Sequence, residues 1–250
     1  LLSKDPTAAS KALERGALWR LPLHLACQCY NVNLDAVEIL FDAYPEAILS
    51  RDSDGKTPVD LARGRARPSH RPERDEQQAE LVSFFEAQLV YARKAQDRSI
   101  MTTPDQSGWL PLHHALNVRA TLGAIKLLVK GNPAALQVSD KDGTLPLHIA
   151  CGYGTVGVVK YLVEPFDGCL HHCDEDKNSP LHCACRGVNC DVVKYLLAKQ
   201  TAAVSERNVH DELPIHLLCE CGEDSDRESP EYVETIWRLL QAYPETVLNW

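Results

Sequence analysis

The chain has 250 residues, 44% hydrophobic and 24% charged, a balance that supports a buried core and excludes a disordered chain. Lysine and arginine total 26 against 35 aspartate and glutamate, and the formal charge of −9 repels phosphate backbones, so nucleic acid is not an expected partner. No apolar run reaches the roughly 18 residues of a membrane helix, and Leu1-Leu2-Ser3-Lys4-Asp5 lacks a basic start followed by an apolar stretch.

Leu1-Leu2 followed by Pro6 matches Leu239-Leu240 followed by Pro244, the end of a helix. Residues 1–15 are therefore expected to be a partial repeat, and the missing initiator methionine (the only Met is Met101) suggests a trimmed parent. From residue 16 onward one phrase returns in register: Leu21-Pro22-Leu23-His24, Thr57-Pro58-Val59-Asp60, Leu110-Pro111-Leu112-His113, Leu145-Pro146-Leu147-His148, Ser179-Pro180-Leu181-His182 and Leu213-Pro214-Ile215-His216. The prolines are 36, 53, 35, 34 and 34 residues apart, which places repeats near 16, 52, 105, 140, 174 and 208.

Six residues before most of these prolines stands Asp52, Asp105, Asp140, Asp174 or Asn208, whose short side chains favour turns. Gly55, Gly108 and Gly143 follow, where a tight turn needs positive φ. The proline suits the first turn of a short helix. A second, amphipathic helix follows, with apolar triplets such as Val37, Leu40, Phe41 and Val159, Leu162, Val163. Pro45, Pro133, Pro165 and Pro244 close that helix.

Two stretches break the period. Residues 64–76 are rich in Arg and Pro, a solvated loop or a docking strip through Arg63, Arg65, Arg67 and Arg71, and a long helix is expected from about Glu76 to Arg93. Residues 222–230 form an acidic insertion in the last repeat, in which Ser225 and Ser229 are candidate phosphorylation sites.

These six in-register copies resemble the ankyrin-repeat family, whose signature is a turn, Thr-Pro-Leu-His and two antiparallel helices. Here four copies carry Leu and one Ser where that family has Thr, at the cost of a hydroxyl cap. The expected fold is all-α, a single solenoid domain over 1–250 of stacked helix-turn-helix units with β-turn tips.

Competing motifs are weighed against that period. Gly152-Tyr153-Gly154-Thr155-Val156-Gly157 matches a dinucleotide pattern, but register makes Leu147 to Cys151 helix rather than the strand the chemistry needs. His24, His113, His148, His182 and His216 occupy one repeat position, so they are assigned a structural role, bonding backbone of the neighbouring turn; a catalytic base would be singular. Cys27, Cys151, Cys185 and Cys219 stand where the ankyrin family has a small residue, and helix spacing puts neighbouring copies beyond disulfide reach. Cys169, His171, His172 and Cys173, with Cys183, are the residual candidates for zinc; no metal or other cofactor is expected.

The expected function is a non-catalytic adaptor or scaffold binding another protein, not a small-molecule substrate, in the cytoplasm or nucleus. The alternatives are the recognition arm of a larger kinase or ubiquitin ligase, and a zinc- or redox-responsive repeat protein. The resemblance implies contacts from turn tips and the exposed later positions of each first helix. Carried over, these are Arg20, Lys56, Trp109, Thr144, Asn178 and Glu212 just before the prolines, Asp142, Asp176 and His210 at the tips, and Gln28, Asn117, Tyr153, Arg186 and Glu220 on the helices. Trp109 either anchors a partner with Tyr153 and Arg186 or packs on the long inserted helix.

Overall fold

The computed structural model describes residues 20–29, 33–65, 72–165, 167–222 and 229–245, with backbone alone at 65, 72–75 and 167. The expected partial repeat at 1–15, Arg67 and Arg71, the Arg65 side chain, and Ser225 with the rest of 223–228 lie outside the described residues.

The described residues form thirteen α-helices, namely α1 (Pro22–Ala26), α2 (Leu34–Ala43), α3 (Pro58–Arg65), α4 (Pro72–Gln96), α5 (Arg98–Thr102), α6 (Pro111–Asn117), α7 (Leu122–Gly131), α8 (Pro146–Tyr153), α9 (Val156–Val163), α10 (Pro180–Arg186), α11 (Cys190–Lys199), α12 (Pro214–Cys221) and α13 (Pro230–Ala242). The fold is all-helical. Pro45 and Pro133 do more than end a helix, since each opens a short 3-10 turn, Pro45–Leu49 and Pro133–Gln137.

The turns before the helices follow from one side chain. Asp140 Oδ1 accepts from the N–H groups of Asp142 and Thr144, at 3.0 and 2.8 Å, while the Asp140 carbonyl accepts from Gly143. Asp52, Asp105 and Asn208 bond their turns in the same way. Gly55, Gly108 and Gly143 have φ of 73°, 84° and 73°, and the equivalent Lys177 and Asp211 adopt 60° and 64° despite carrying a Cβ. Left-handed backbone is costly for such residues. Replacing the exposed Lys177 by glycine is therefore expected to stabilise the protein by about 0.5–1 kcal/mol. Thermal melting of the two chains checks this, and an unchanged midpoint counts against the strain.

Compactness divides the chain into two units, 1–101 with 121–132, and 102–120 with 133–250. In the first, Leu23, Val37, Phe41, Ile48, Val59, Leu81, Phe85 and Leu127 build the core. Phe84 meets Phe41 and Phe85 edge-on, at centroid distances of 6.1 and 5.5 Å. The long inserted helix begins at Pro72, four residues before the expected Glu76, so much of the presumed 64–76 loop is helical. Nor does α4 fully separate α2 from α7. Asp42 at the end of α2 accepts the Gly123 N–H at 2.6 Å, its carbonyl accepts Lys126 Nζ at 2.6 Å, and a Cβ on Gly123 would lie 2.6 Å from the Phe41 ring.

In the second unit the first helices α6, α8, α10 and α12 pack in sequence, and the second helices α9, α11 and α13 form the layer behind them. Val159, Val193 and Ala184 are 0% exposed, so the apolar positions read from the period are the ones that fill the layers.

Candidate protein-binding face

The face of the second unit starts with how closely its first helices approach. Cys151 and Cys185 are fully buried between them. A Cβ on Gly187 would lie 2.1 Å from the Gly152 carbonyl oxygen, so only glycine permits this approach of α8 and α10. Asn189 then donates from Nδ2 to the carbonyls of Cys151 and Gly154, at 3.2 and 2.7 Å. Of the apparent dinucleotide motif, Gly152 thus lies at a helix contact, and α8 stands where a strand would be needed.

The repeated histidines cap the starts of their own helices, and His24, His148 and His182 also reach forward to backbone of the next segment. In all five the Nδ1 atom accepts the N–H of the residue three before it, at 3.1–3.2 Å. This supplies a helix start that lacks a threonine hydroxyl. In the second repeat Thr57 and Asp60 exchange the equivalent bonds, Thr57 N–H to Asp60 Oδ2 and Asp60 N–H to Thr57 Oγ1. With Nδ1 occupied as acceptor, Nε2 carries the proton and donates forward, from His24 to Ser50 O at 3.1 Å, His148 to His172 O at 3.1 Å and His182 to Glu212 O at 3.2 Å. Burial is the main influence on His24, His113, His148 and His182 and holds their pKa values below the usual histidine range.

Successive turn tips of this unit are joined through backbone. Lys141 N–H donates to Ser107 O at 3.2 Å, Glu175 N–H to Asp142 O at 3.0 Å, and Val209 N–H to Asp176 O at 2.9 Å. The tips therefore form an ordered row that presents Asp142, Asp176 and His210, all exposed.

Behind the row lies a hollow of about 180 Å³, lined by Thr144, Ile149, Tyr153, Asp174, Cys183 and Arg186. Tyr153 is 50% exposed, and the Arg119 guanidinium lies 5.9 Å from its ring centroid. Arg186 is exposed but donates to Asn178 Oδ1 at 3.3 Å, which orients it beside the tyrosine. Arg119 and Val118, 63% exposed, were not among the expected contacts. The signal that would have found them is their place, seven and eight residues after Pro111, next to those already chosen.

Several expected contact residues have internal duties instead. Asn178 is 1% exposed and bonds Asp174 and Asn208, so it is withdrawn as a contact. Trp109 is half-buried: its indole N–H donates to Asp140 Oδ2 at 2.9 Å, its ring stacks on His113, and it meets His114 edge-on. It is a packing residue, not an exposed anchor, and its neighbours are these histidines and the following turn. Arg20 pairs with Asp52 at 3.1 Å and with Gln28 at 3.0 Å, which engages two more. Glu212 Oε2 accepts from Asn208 at 2.8 Å. Lys56, Asn117 and Glu220 are exposed, and Thr144 is half-buried at the rim of the hollow.

The cysteine and histidine cluster does not converge. His171 bonds Gln200, His172 donates toward Gly143 O, Cys169 is buried and Cys173 is exposed. Among the described residues no group of three or more His, Cys, Asp or Glu side chains is placed to hold a metal. Burial pushes the Cys27 and Cys183 thiols up to about 12, with Asp174 adding to the second, and raises Cys151 and Cys185 well above the usual thiol range. Such thiols are poor nucleophiles and poor ligands. No helix among the described residues is long and apolar enough to cross a membrane.

Two family models match the sequence. Residues 112–208 match one described as ankyrin repeats (3 copies), and residues 10–62 match one described as ankyrin repeats (many copies). No curated protein matches the chain.

Proposed function

We propose that this chain, which belongs to the ankyrin-repeat family, is a non-catalytic adaptor that holds another protein in the hollow and along the turn row of its second unit. Ankyrin repeats are in general protein-interaction modules. The observation that carries the finer reading is Tyr153, an aromatic side chain half in solvent that lines a preformed hollow with Arg186 and has the Arg119 guanidinium over its ring. Tyrosine and arginine on a rigid base are the residues that dominate interface energies.

The contact set that follows is Tyr153, Arg186, Arg119, Val118 and Asn117, with Asp142, Asp176, His210 and Glu220 at the rim. Cross-linking from a photoreactive group at Thr144, followed by mass spectrometry, identifies the bound protein. Tyr153→Ala combined with Arg186→Ala is expected to weaken that binding by about 30-fold, from roughly 2 kcal/mol of hot-spot loss. The circular dichroism should stay unchanged. Binding of the same protein at undiminished affinity would remove the hollow as the site.

A further inference from the structure

On the reading that the hollow of the second unit holds a bound protein, its charges name the chemistry of the occupant. The chain has a formal charge of −9, and four arginines elsewhere meet a carboxylate within 2.7–3.2 Å: Arg20 with Asp52, Arg63 with Glu86, Arg207 with Asp211 and Arg238 with Glu234. Arg119 and Arg186 are exposed and form no ion pair with a carboxylate among the described residues. Both stand at Tyr153, Arg186 in the same wall and Arg119 with its guanidinium 5.9 Å from the ring centroid.

Asp174 also lines the hollow, but its oxygens are engaged. Oδ1 accepts the Asn178 N–H at 2.7 Å and Oδ2 accepts Asn178 Nδ2 at 3.1 Å. The same amide offers its Oδ1 to Arg186 Nη2 at 3.3 Å. A neutral group therefore orients the guanidinium, and its other N–H donors are left for a ligand. In front of the hollow the charge is reversed, since the tip row carries Asp142, Glu175, Asp176 and Asp211 against Lys141 and Lys177. A uniformly acidic segment would meet like charge there, and a uniformly basic one would meet it at the two arginines.

We propose that the bound protein enters the hollow with the carboxylate of an aspartate or glutamate, seated on Arg186 and Arg119 beside the Tyr153 ring, and lays basic residues next to it along the tip row. The planar guanidinium fork matches a carboxylate with two parallel hydrogen bonds. Arg119 also permits a clean deletion. Its φ is 55°, held by the Arg119 and Ala120 N–H bonds to the carbonyls of Leu116 and Ala115, so glycine can take its place without strain.

Selection of random peptides displayed on phage, with the 250-residue chain as bait, tests it. The peptides recovered should share one Asp or Glu, with Lys or Arg within a few positions of it. In synthetic copies, replacing that acid by its amide should weaken binding by about 10-fold or more. Arg119→Gly should weaken it by about 3- to 10-fold with the melting temperature no lower. Selection on Arg186→Glu should exchange the shared acid for Lys or Arg. Peptides that lose affinity for Tyr153→Ala but share no acid overturn the carboxylate and leave the hollow as the site. Peptides that bind the Tyr153→Ala, Arg186→Ala chain undiminished overturn both. A selection that yields nothing tighter than about 100 μM overturns the acidic segment, while cross-linking from Thr144 still decides the hollow. A copy with phosphoserine in place of the acid that binds at least tenfold tighter assigns the arginines to phosphate and overturns the carboxylate.

Discussion

Gly187→Ala is expected to destabilise the protein by about 3–5 kcal/mol, the largest effect of any single methyl group in the second unit. The new carbon would sit 2.1 Å from the Gly152 oxygen and 2.8 Å from its carbonyl carbon and Cα. All three are backbone atoms of α8, so no rotamer relieves the overlap and the two helices must separate. Separation breaks the Asn189 bonds to Cys151 and Gly154 and opens the buried sulfurs to water. It also widens the hollow that holds Tyr153, so binding should fall with stability. Gly157→Ala is the control: its Cβ would meet only Thr155 Oγ1, at 3.7 Å, and helix propensity predicts a gain of up to about 1 kcal/mol. Thermal melts of the two variants should move in opposite directions. A Gly187→Ala midpoint equal to that of the parent would mean that this helix contact is looser than described.

The second large effect is expected from the histidines. His182→Ala strands the Ser179 N–H and the Glu212 carbonyl and leaves a cavity at a fully buried position, for a loss of about 3 kcal/mol. His182→Asp should recover part of that, since Asp60 already accepts the equivalent N–H in the second repeat. The same network fixes the response to acid. His24, His113, His148 and His182 fold as neutral rings because Nδ1 must keep a lone pair and burial opposes charge. Their folded pKa values lie below the unfolded value of about 6.5, so their contribution is complete above that pH and is lost as pH falls below it. Asp52, Asp60 and Asp105, held low by hydrogen bonds to backbone and side chains, resist acid until pH falls below about 3.8. The melting temperature should therefore begin to drop between pH 7 and 5, ahead of these three aspartates, by about 2–4 °C for each kcal/mol lost. A flat melting temperature across that interval would contradict the neutral, buried assignment.

What could be read from the residues alone was whatever the period repeats. Turn, proline and histidine recur at fixed offsets, so six weak signals reinforce one another, and the helices start where the phrases say. Positions that depart from the period were harder. Lys177 and Asp211 take the glycine conformation without being glycine, because Asp174 and Asn208 hold those turns from the other end. Asn178 reads as a tip residue yet is buried, since the next turn offers Asn208 as its mate. The same holds for Trp109, whose Asp140 acceptor lies a repeat away. The contact of α2 with α7 joins residues some eighty positions apart across an insertion, where register carries no information. Each of these depends on a neighbour in space that a one-dimensional period does not encode.

The bonds between successive tips run from amide to carbonyl: Lys141 to Ser107, Glu175 to Asp142, Val209 to Asp176. No side chain takes part, so Lys141, Glu175 and Val209 can be exchanged for almost any other residue without loosening the spacing of the fingers. The edge that meets other molecules is in this sense rewritable. New specificity can be acquired there one substitution at a time, while stability rests on the glycines and imidazoles behind it.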